Sequence, residues 1–170
     1  MKRIKLSRVF AILDERLLRL LPGSSMRSLR LAVLRLAGAK VGKNIVLAQG
    51  VRIIGASCLE IEDDVSIARD VVLDARGGLT LQRGALIGFE SIILTSTHNS
   101  EQAGVPVHVQ GMFSREVVIG EYSWLGARCV VQPGVTIGSN VIVGSSAVVT
   151  SDLSSQGVFA GVPARFLRNR

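Results

Sequence analysis

From Leu6 onward the apolar residues Phe10, Leu13, Leu17 and Leu20 recur at steps of three and four, with Arg8, Glu15, Arg16 and Arg19 between them. That spacing lines one face of an amphipathic helix. Pro22 and Gly23 break it, Ser24 or Ser25 can cap a second helix, and Leu29, Val33 and Leu36 continue the apolar stripe until Gly38 stops it. Residues 1–40 therefore predict a helical hairpin.

After Lys40 the apolar period becomes six. Aliphatic residues stand at Val41, Leu47 and Ile53; at Ile61, Ile67 and Leu73; at Leu81, Ile87 and Ile93; at Ile119, Leu125 and Val131; and at Ile137, Val143 and Val149. Four residues after each stands a residue that is mostly small or β-branched, among them Val65, Val71, Ala85, Ser91, Thr97, Ser123, Cys129, Val135, Val141 and Ala147. A glycine directly follows several of the aliphatic positions: Gly42, Gly88, Gly120, Gly126, Gly138 and Gly144. A six-residue repeat of this kind suits a short strand and a tight corner, used three times to wind one triangular coil.

The interruptions of the register mark where coils end. Leu59–Glu60 and Leu79–Thr80 are extra pairs between complete triplets of hexads, whereas Asn99–Glu116 is a long excursion rich in Ser, Gln, Gly and His. A long loop thrown out of a regular solenoid is where function concentrates. The predicted architecture is mainly β: a helical segment over 1–40, then a parallel β-helix over 41–170 with one excursion loop at 99–116 and a C-terminal tail.

Composition narrows the function classes. The 170 residues fit one domain, and with 48% apolar but only 4% aromatic residues the core has to be aliphatic. The net charge of +7 is uneven: residues 1–40 hold ten Lys or Arg against Asp14 and Glu15, and the remainder is nearly balanced. No stacking aromatics or recognition motif accompany the basic residues, so nucleic acid is not an expected partner. Cys58 and Cys129 are too few for a disulfide framework and are expected to be reduced structural thiols. The apolar run Val9–Leu13 is too short for a signal peptide or membrane span, which points to a cytoplasmic location.

The stretch "VVIGEYSWLGARCVVQPGVTIGSNVIVGSSAVVTSDL", followed by "VFAGVPARFLR", resembles the hexapeptide-repeat acyltransferases, in particular the branch of galactoside, maltose, nodulation-factor and polysaccharide O-acetyltransferases. The resemblance implies a left-handed coil, a homotrimer with active sites between subunits, and acetyl-CoA as acyl donor, with no metal. The N-terminal hairpin is similar to the extension of the exopolysaccharide and lipopolysaccharide O-acetyltransferases, which implies a carbohydrate acceptor.

Site residues follow from the same resemblance. His98, where the excursion begins, matches the family's catalytic histidine. A neutral imidazole can take the proton of a sugar hydroxyl as it attacks a thioester. By the motif "SWLGA" the backbone amide of Ala127 lines the thioester, Gly126 permits close backbone approach, and Trp124 either walls the thioester from water or packs against a neighbouring subunit. Ser145 and Thr150 are implied contacts of the pantetheine arm. Arg165 and Arg168 correspond to residues that meet the CoA phosphates, a task suited to a guanidinium fork. On the acceptor side the match fails: Asp74 is the candidate for binding acceptor or orienting His98, with Arg69 and His108 as further candidates.

Other readings compete. A γ-type carbonic anhydrase needs three histidines on zinc, and the chain has two. A small-molecule acetyltransferase of the xenobiotic or serine type, or a catalytically silent scaffold, would use the same repeat. The hairpin can cap the exposed end of the solenoid, or lay its basic face on anionic lipid at the inner face of the cytoplasmic membrane, or both.

Overall fold

The structure, a computed structural model, describes residues 26–170. The first predicted helix, and Ser24 and Ser25 before the second, lie outside the described residues. Helix α1 (Arg27–Leu36) leads into strands β1 (Lys40–Val41), β2 (Val46–Leu47) and β3 (Arg52–Ile54), which wind coil 1. Coil 2 is β4 (Leu59–Ile61), β5 (Ser66–Ile67) and β6 (Val72–Asp74), and coil 3 is β7 (Leu79–Leu81), β8 (Leu86–Ile87) and β9 (Ile92–Ile93). Strands β10 (Ser96–His98) and β11 (Met112–Ser114) then leave and return. Coil 4 follows as β12 (Val117–Ile119), β13 (Trp124–Leu125) and β14 (Val130–Val131), and coil 5 as β15 (Thr136–Ile137), β16 (Ile142–Val143) and β17 (Val148–Val149). The chain ends with β18 (Gly157–Ala160) and β19 (Arg165–Asn169).

Each strand pairs in parallel with its counterpart one coil on, which produces three flat faces. Face 1 is β1-β4-β7-β12-β15, face 2 is β2-β5-β8-β13-β16-β18-β19, and face 3 is β3-β6-β9-β14-β17. The hexad positions point inward: from Leu47 to Val149 every one is buried, and Val41 at the open end is partly buried. The small positions fill the corners beside them. Ser91 Oγ donates to Gly126 O at 3.1 Å, Ser123 Oγ to Gly138 O at 2.7 Å, and Cys129 Sγ to Gly144 O at 3.2 Å, so these three side chains stitch successive corners together. Thr97 departs from that pattern because the chain has already left the coil at Ser96. Cys58 departs from expectation as well: it is exposed in the short 3-10 turn Ala56–Cys58, and only Cys129 is a core thiol.

The open end of the ladder explains α1. Bonds between coils 1 and 2 run both ways: Val46 N donates to Val65 O and Arg52 N to Val71 O, each at 2.9 Å, while Lys43 O accepts from Asp64 N at 2.9 Å and Ile54 O from Ala75 N at 2.8 Å. The coil 1 carbonyls that face the open end meet no further coil, and buried carbonyls need a donor. Arg30 Nη1 donates to Leu47 O at 2.8 Å and to Ala48 O at 2.9 Å, while Arg35 Nη2 donates to Val41 O at 3.1 Å and Gly42 O at 3.0 Å. Leu31 and Leu34 are buried over the end of the core. The predicted stripe Leu29–Val33–Leu36 is thus in the wrong phase: Leu29 and Leu36 are 47% and 71% exposed, and Arg30, Leu31 and Leu34 face inward. Capping the end carbonyls turns the helix by about one position relative to its simplest apolar stripe.

The far end is closed differently. Leu153 bridges to Ile137, β18 continues face 2, and β19 folds back antiparallel on β18, with Phe166 edge-on to Phe159 at 5.5 Å between ring centroids. The last residues are a capping strand rather than a free tail.

Candidate active site

The excursion is more ordered than the loop the sequence predicts. It is an antiparallel ribbon that starts at Ser96, pairing Ser96 with Ser114, Thr97 with Phe113 and His98 with Met112. Within it, Asn99 N donates to Gly111 O at 3.1 Å, and the Gln110 amide donates to Gln102 O and Val105 O at 3.0 and 2.8 Å. His108 sits on the short 3-10 turn Val107–Val109 of this excursion, and both histidines are exposed.

The root of the ribbon is fixed to coil 2. Asp74, the last residue of β6, is 2% exposed. It accepts a 2.5 Å bond from Ser96 Oγ and a fork from Arg76, Nε at 2.8 Å and Nη2 at 3.0 Å. Burial pushes the Asp74 carboxyl up, but the bonds from Arg76 and Ser96 outweigh it and hold the group below the ordinary carboxylate value. Beside it, Gly77 N donates to Thr95 Oγ1 at 2.8 Å, and a Cβ on Gly77 would stand 2.5 Å from Thr95 O. Only glycine lets this turn pack so closely on the ribbon.

A separate groove of about 370 Å³ runs along the corner between faces 2 and 3, lined by Phe89, Glu90, Ala127, Arg128, Ser145 and Ser146. Phe89, Ala127 and Ser145 occupy equivalent positions in coils 3, 4 and 5, two residues after the buried Ile87, Leu125 and Val143. The coils touch here through backbone: a Cβ on Gly126 would stand 2.6 Å from Ser145 N. The amide of Ala127 donates to no acceptor among the described residues, while its neighbour Arg128 N donates to Phe89 O at 2.7 Å. Arg128 Nε meets Glu90 Oε2 at 2.8 Å on the outer lip. The corner thus presents a narrow, partly polar channel with a spare N–H donor half-way along it.

Comparison with known proteins places this geometry. Residues 116–151 match the bacterial transferase hexapeptide (six repeats) family. The chain is 33% identical over 141 residues, 83% of its own length and 75% of the relative's, to WcaF of Escherichia coli (strain K12), whose name provisionally assigns it as a colanic acid biosynthesis acetyltransferase. The chain belongs to the hexapeptide-repeat acetyltransferases. A maltose O-acetyltransferase structure from Clostridium difficile 630 superposes with a TM-score of 0.86 at 23% identity, covering 97% of this chain and 88% of the other. A Vibrio cholerae hexapeptide-repeat acetyltransferase solved with acetyl-CoA superposes at 0.84 and 22% identity, covering 99% and 92%. The coil of this acetyltransferase is accordingly left-handed.

Within this acetyltransferase the predicted site residues fall into separate groups. Gly126, Ala127 and Ser145 share the corner groove or its floor. Trp124 lies on face 2, 47% exposed, in register with Leu86 on one side and Ile142 on the other. Thr150 is exposed at the end of β17, at the corner between faces 3 and 1, so a full strand separates it from Ser145. Arg165 and Arg168 lie on β19 beyond the last coil, where their guanidinium groups donate to Ala164 O and Asn169 O at 3.0 and 3.1 Å. His98 and Asp74 share the ribbon's corner, yet Asp74 is already saturated by Arg76 and Ser96. Arg69 lies at the opposite end of β6 from Asp74, stacked 5.5 Å over the ring of Phe89.

Sequence reasoning missed Phe89 and Ser96, and it left Arg76, available on the acceptor side, without a role. Phe89 was recoverable, since counting hexads puts it in the column of Ala127 and Ser145. Arg76 and Ser96 carry no comparable signal, because their role depends on how the ribbon root meets coil 2.

Proposed function

We propose that this chain transfers the acetyl group of acetyl-CoA to a sugar hydroxyl in the assembly of a surface polysaccharide or lipopolysaccharide, with His98 as general base and the site completed by a second subunit. One observation carries the reading: the base and the donor groove sit at two different corners of the same triangular coil. His98 projects on its ribbon from the corner after face 3, and the spare Ala127 amide opens at the corner between faces 2 and 3. A contact that joins unlike corners of two copies is heterologous, and it closes into a ring where the rotation between copies closes. A homotrimer suits a three-sided coil.

The outward rows of the faces support such an assembly. Face 2 presents Val46, Ser66, Leu86, Trp124, Ile142 and Val158, and face 3 presents Arg52, Val72, Ile92, Val130 and Val148, whereas face 1 presents Lys40, Glu60, Thr80, Val118 and Thr136. Two mainly apolar faces and one mainly polar face fit burial of the first two against neighbours. In the groove, the Ala127 amide is placed to donate to the thioester carbonyl oxygen as it gains negative charge, with Ser145 beside the pantetheine arm. Arg165 and Arg168, at the C-terminal end, are the cations for the phosphates.

The carbohydrate acceptor is supported by the likeness to WcaF and by the maltose O-acetyltransferase fold. Screening nucleotide sugars, lipid-linked sugars and free glycosides with acetyl-CoA, following thiol release, tests it. His98→Ala is expected to lower turnover by about 10²- to 10⁴-fold while leaving assembly and CoA affinity intact. Retained turnover rejects His98 as the base.

Among the described residues no helix is long and apolar enough to cross a membrane. Peripheral attachment through residues 1–40 rests on their charge, of which Arg30, Arg35 and Lys40 already engage the solenoid. Flotation with anionic liposomes decides it, and protein left in solution excludes attachment.

A further inference from the structure

Phe89 is an unusual occupant of its column. The groove stacks Phe89, Ala127 and Ser145 on three successive coils, so a bulky ring stands one rung, about 4.8 Å, from the Ala127 position. The residue is 51% exposed, yet its ring is braced. Arg69, from the coil before, lies 5.5 Å over its face, and its carbonyl accepts a 2.7 Å bond from Arg128 N, whose side chain pairs with Glu90 at 2.8 Å. Coil 4 thus holds the Phe89 backbone and coil 2 stacks a cation on its ring, at the N-terminal end of the groove it lines, and a cation over a ring face adds to its fixity.

Orientation gives the ring a use. With the CoA phosphates towards Arg165 and Arg168 at the C-terminal end and the thioester at Ala127, the acyl substituent extends the other way, towards coil 3. We propose that Phe89, braced by Arg69, is the acyl-length determinant of this enzyme: it closes the groove one rung beyond Ala127, admits an acetyl group and rejects acyl chains of about four carbons or more. This rests on the reading of the corner groove as the donor site. A two-carbon acyl group ends short of the ring. A butyryl group has to displace it and break its stacking on Arg69. Apolar pockets discriminate by about 10- to 200-fold for each methylene that does or does not fit.

The test needs no acceptor. The full-length protein and its variants are titrated calorimetrically with CoA, acetyl-CoA, butyryl-CoA and hexanoyl-CoA. The natural protein is expected to bind acetyl-CoA at least about tenfold more tightly than butyryl-CoA. Phe89→Ala should erase that preference without weakening acetyl-CoA by more than a few fold, and Arg69→Gln should erode it in the same direction. Phe89→Leu, a milder change at an exposed position, should give an intermediate profile and covers the case that Phe89→Ala folds poorly. If the chain-length profile of Phe89→Ala, or of Phe89→Leu where only that variant folds, parallels the natural one, the length determinant lies elsewhere. Ser145→Phe separates the two ideas. Should it leave acetyl-CoA affinity unchanged, the groove is not the donor site; should it abolish binding while the Phe89 variants keep the natural profile, the groove stands and the role of Phe89 falls.

Discussion

Ser96 donates a 2.5 Å hydrogen bond to the buried carboxylate of Asp74, and His98 stands two residues further along the same strand. The ribbon bearing the histidine is therefore anchored by a charge-assisted bond at its first residue, and the forked Arg76 locks the carboxylate that receives it. With both carboxylate oxygens taken up by Ser96 and Arg76, we propose that Asp74 acts on the proposed base through this root. Asp74→Ala should destabilise the fold by about 2–4 kcal/mol, because the Ser96 hydroxyl loses a buried acceptor and Arg76 its partner. Its effect on catalysis should fall on kcat while acetyl-CoA affinity stays near normal. An Asp74→Ala protein with natural kcat and stability would remove the root from any role.

The same carboxylate gives a pH dependence with a definite sign. Its folded pKa lies below the ordinary carboxylate value, so its contribution is fully present above the unfolded pKa of about 3.9 and is lost as pH falls through the depressed folded value. At neutral pH the root is intact. Hydrogen exchange at the ribbon amides should show protection that is lost on acidification in the natural protein, and that is already reduced at neutral pH in Asp74→Asn.

Much of this was legible in the sequence because a solenoid buries each hexad against its own copies one coil away. Ile61, Leu81 and Ile119 stack because they share a register, and the register can be counted. The column Phe89–Ala127–Ser145 was legible by the same count, as was the separation of Ser145 from Thr150 by β17. The ribbon was not. Ser96–Thr97–His98 faces Ser114–Phe113–Met112 without apolar alternation, and its order comes from Asp74, Thr95 and Gly77 at its root. The phase of α1 was hidden for a related reason: a basic residue turns inward only when the carbonyls awaiting it are known.

Gly126 should be intolerant of even one methyl group. Its Cβ would fall 2.6 Å from Ser145 N and 2.9 Å from Ser145 Cα, so coils 4 and 5 would have to part along the groove floor. Gly126→Ala is expected to cost about 1–3 kcal/mol by overpacking and to weaken acetyl-CoA binding at least severalfold. Denaturant unfolding and calorimetry read the two effects separately. Normal values of both would mean the corner can relax in a way these contacts do not suggest.

The two cysteines should separate cleanly by reactivity. Burial pushes the Cys129 thiol up, against weaker opposing hydrogen bonds from the Ala147 and Ser146 backbone, and it stays protonated in the core; Cys58 lies exposed on its turn. A thiol reagent at neutral pH should label Cys58 in the native protein and Cys129 only after unfolding. Rapid labelling of Cys129 would show that the coil 4 corner opens locally.

Arg30 provides the sharpest test of how the solenoid begins. It bonds Leu47 O and Ala48 O, and its Nε and Nη2 have no partner among the described residues, while burial pushes the guanidinium pKa down. Two opposed effects act when it is replaced by methionine. Two charge-assisted bonds are lost, each worth about 1.5–3 kcal/mol, and the cost of burying a half-satisfied guanidinium is relieved. Because both carbonyls then lie under α1 without a donor, the loss should win, and Arg30→Met should lower stability by about 1–3 kcal/mol. Exchange should rise first at coil 1 amides such as Val46 and Ala48, whose bonds run to coil 2. Arg30→Lys, keeping one cationic donor, should fall between the two. A methionine variant as stable as the natural protein would mean that Leu31 and Leu34 alone seal the end of the core, and that the buried arginine is retained for another reason.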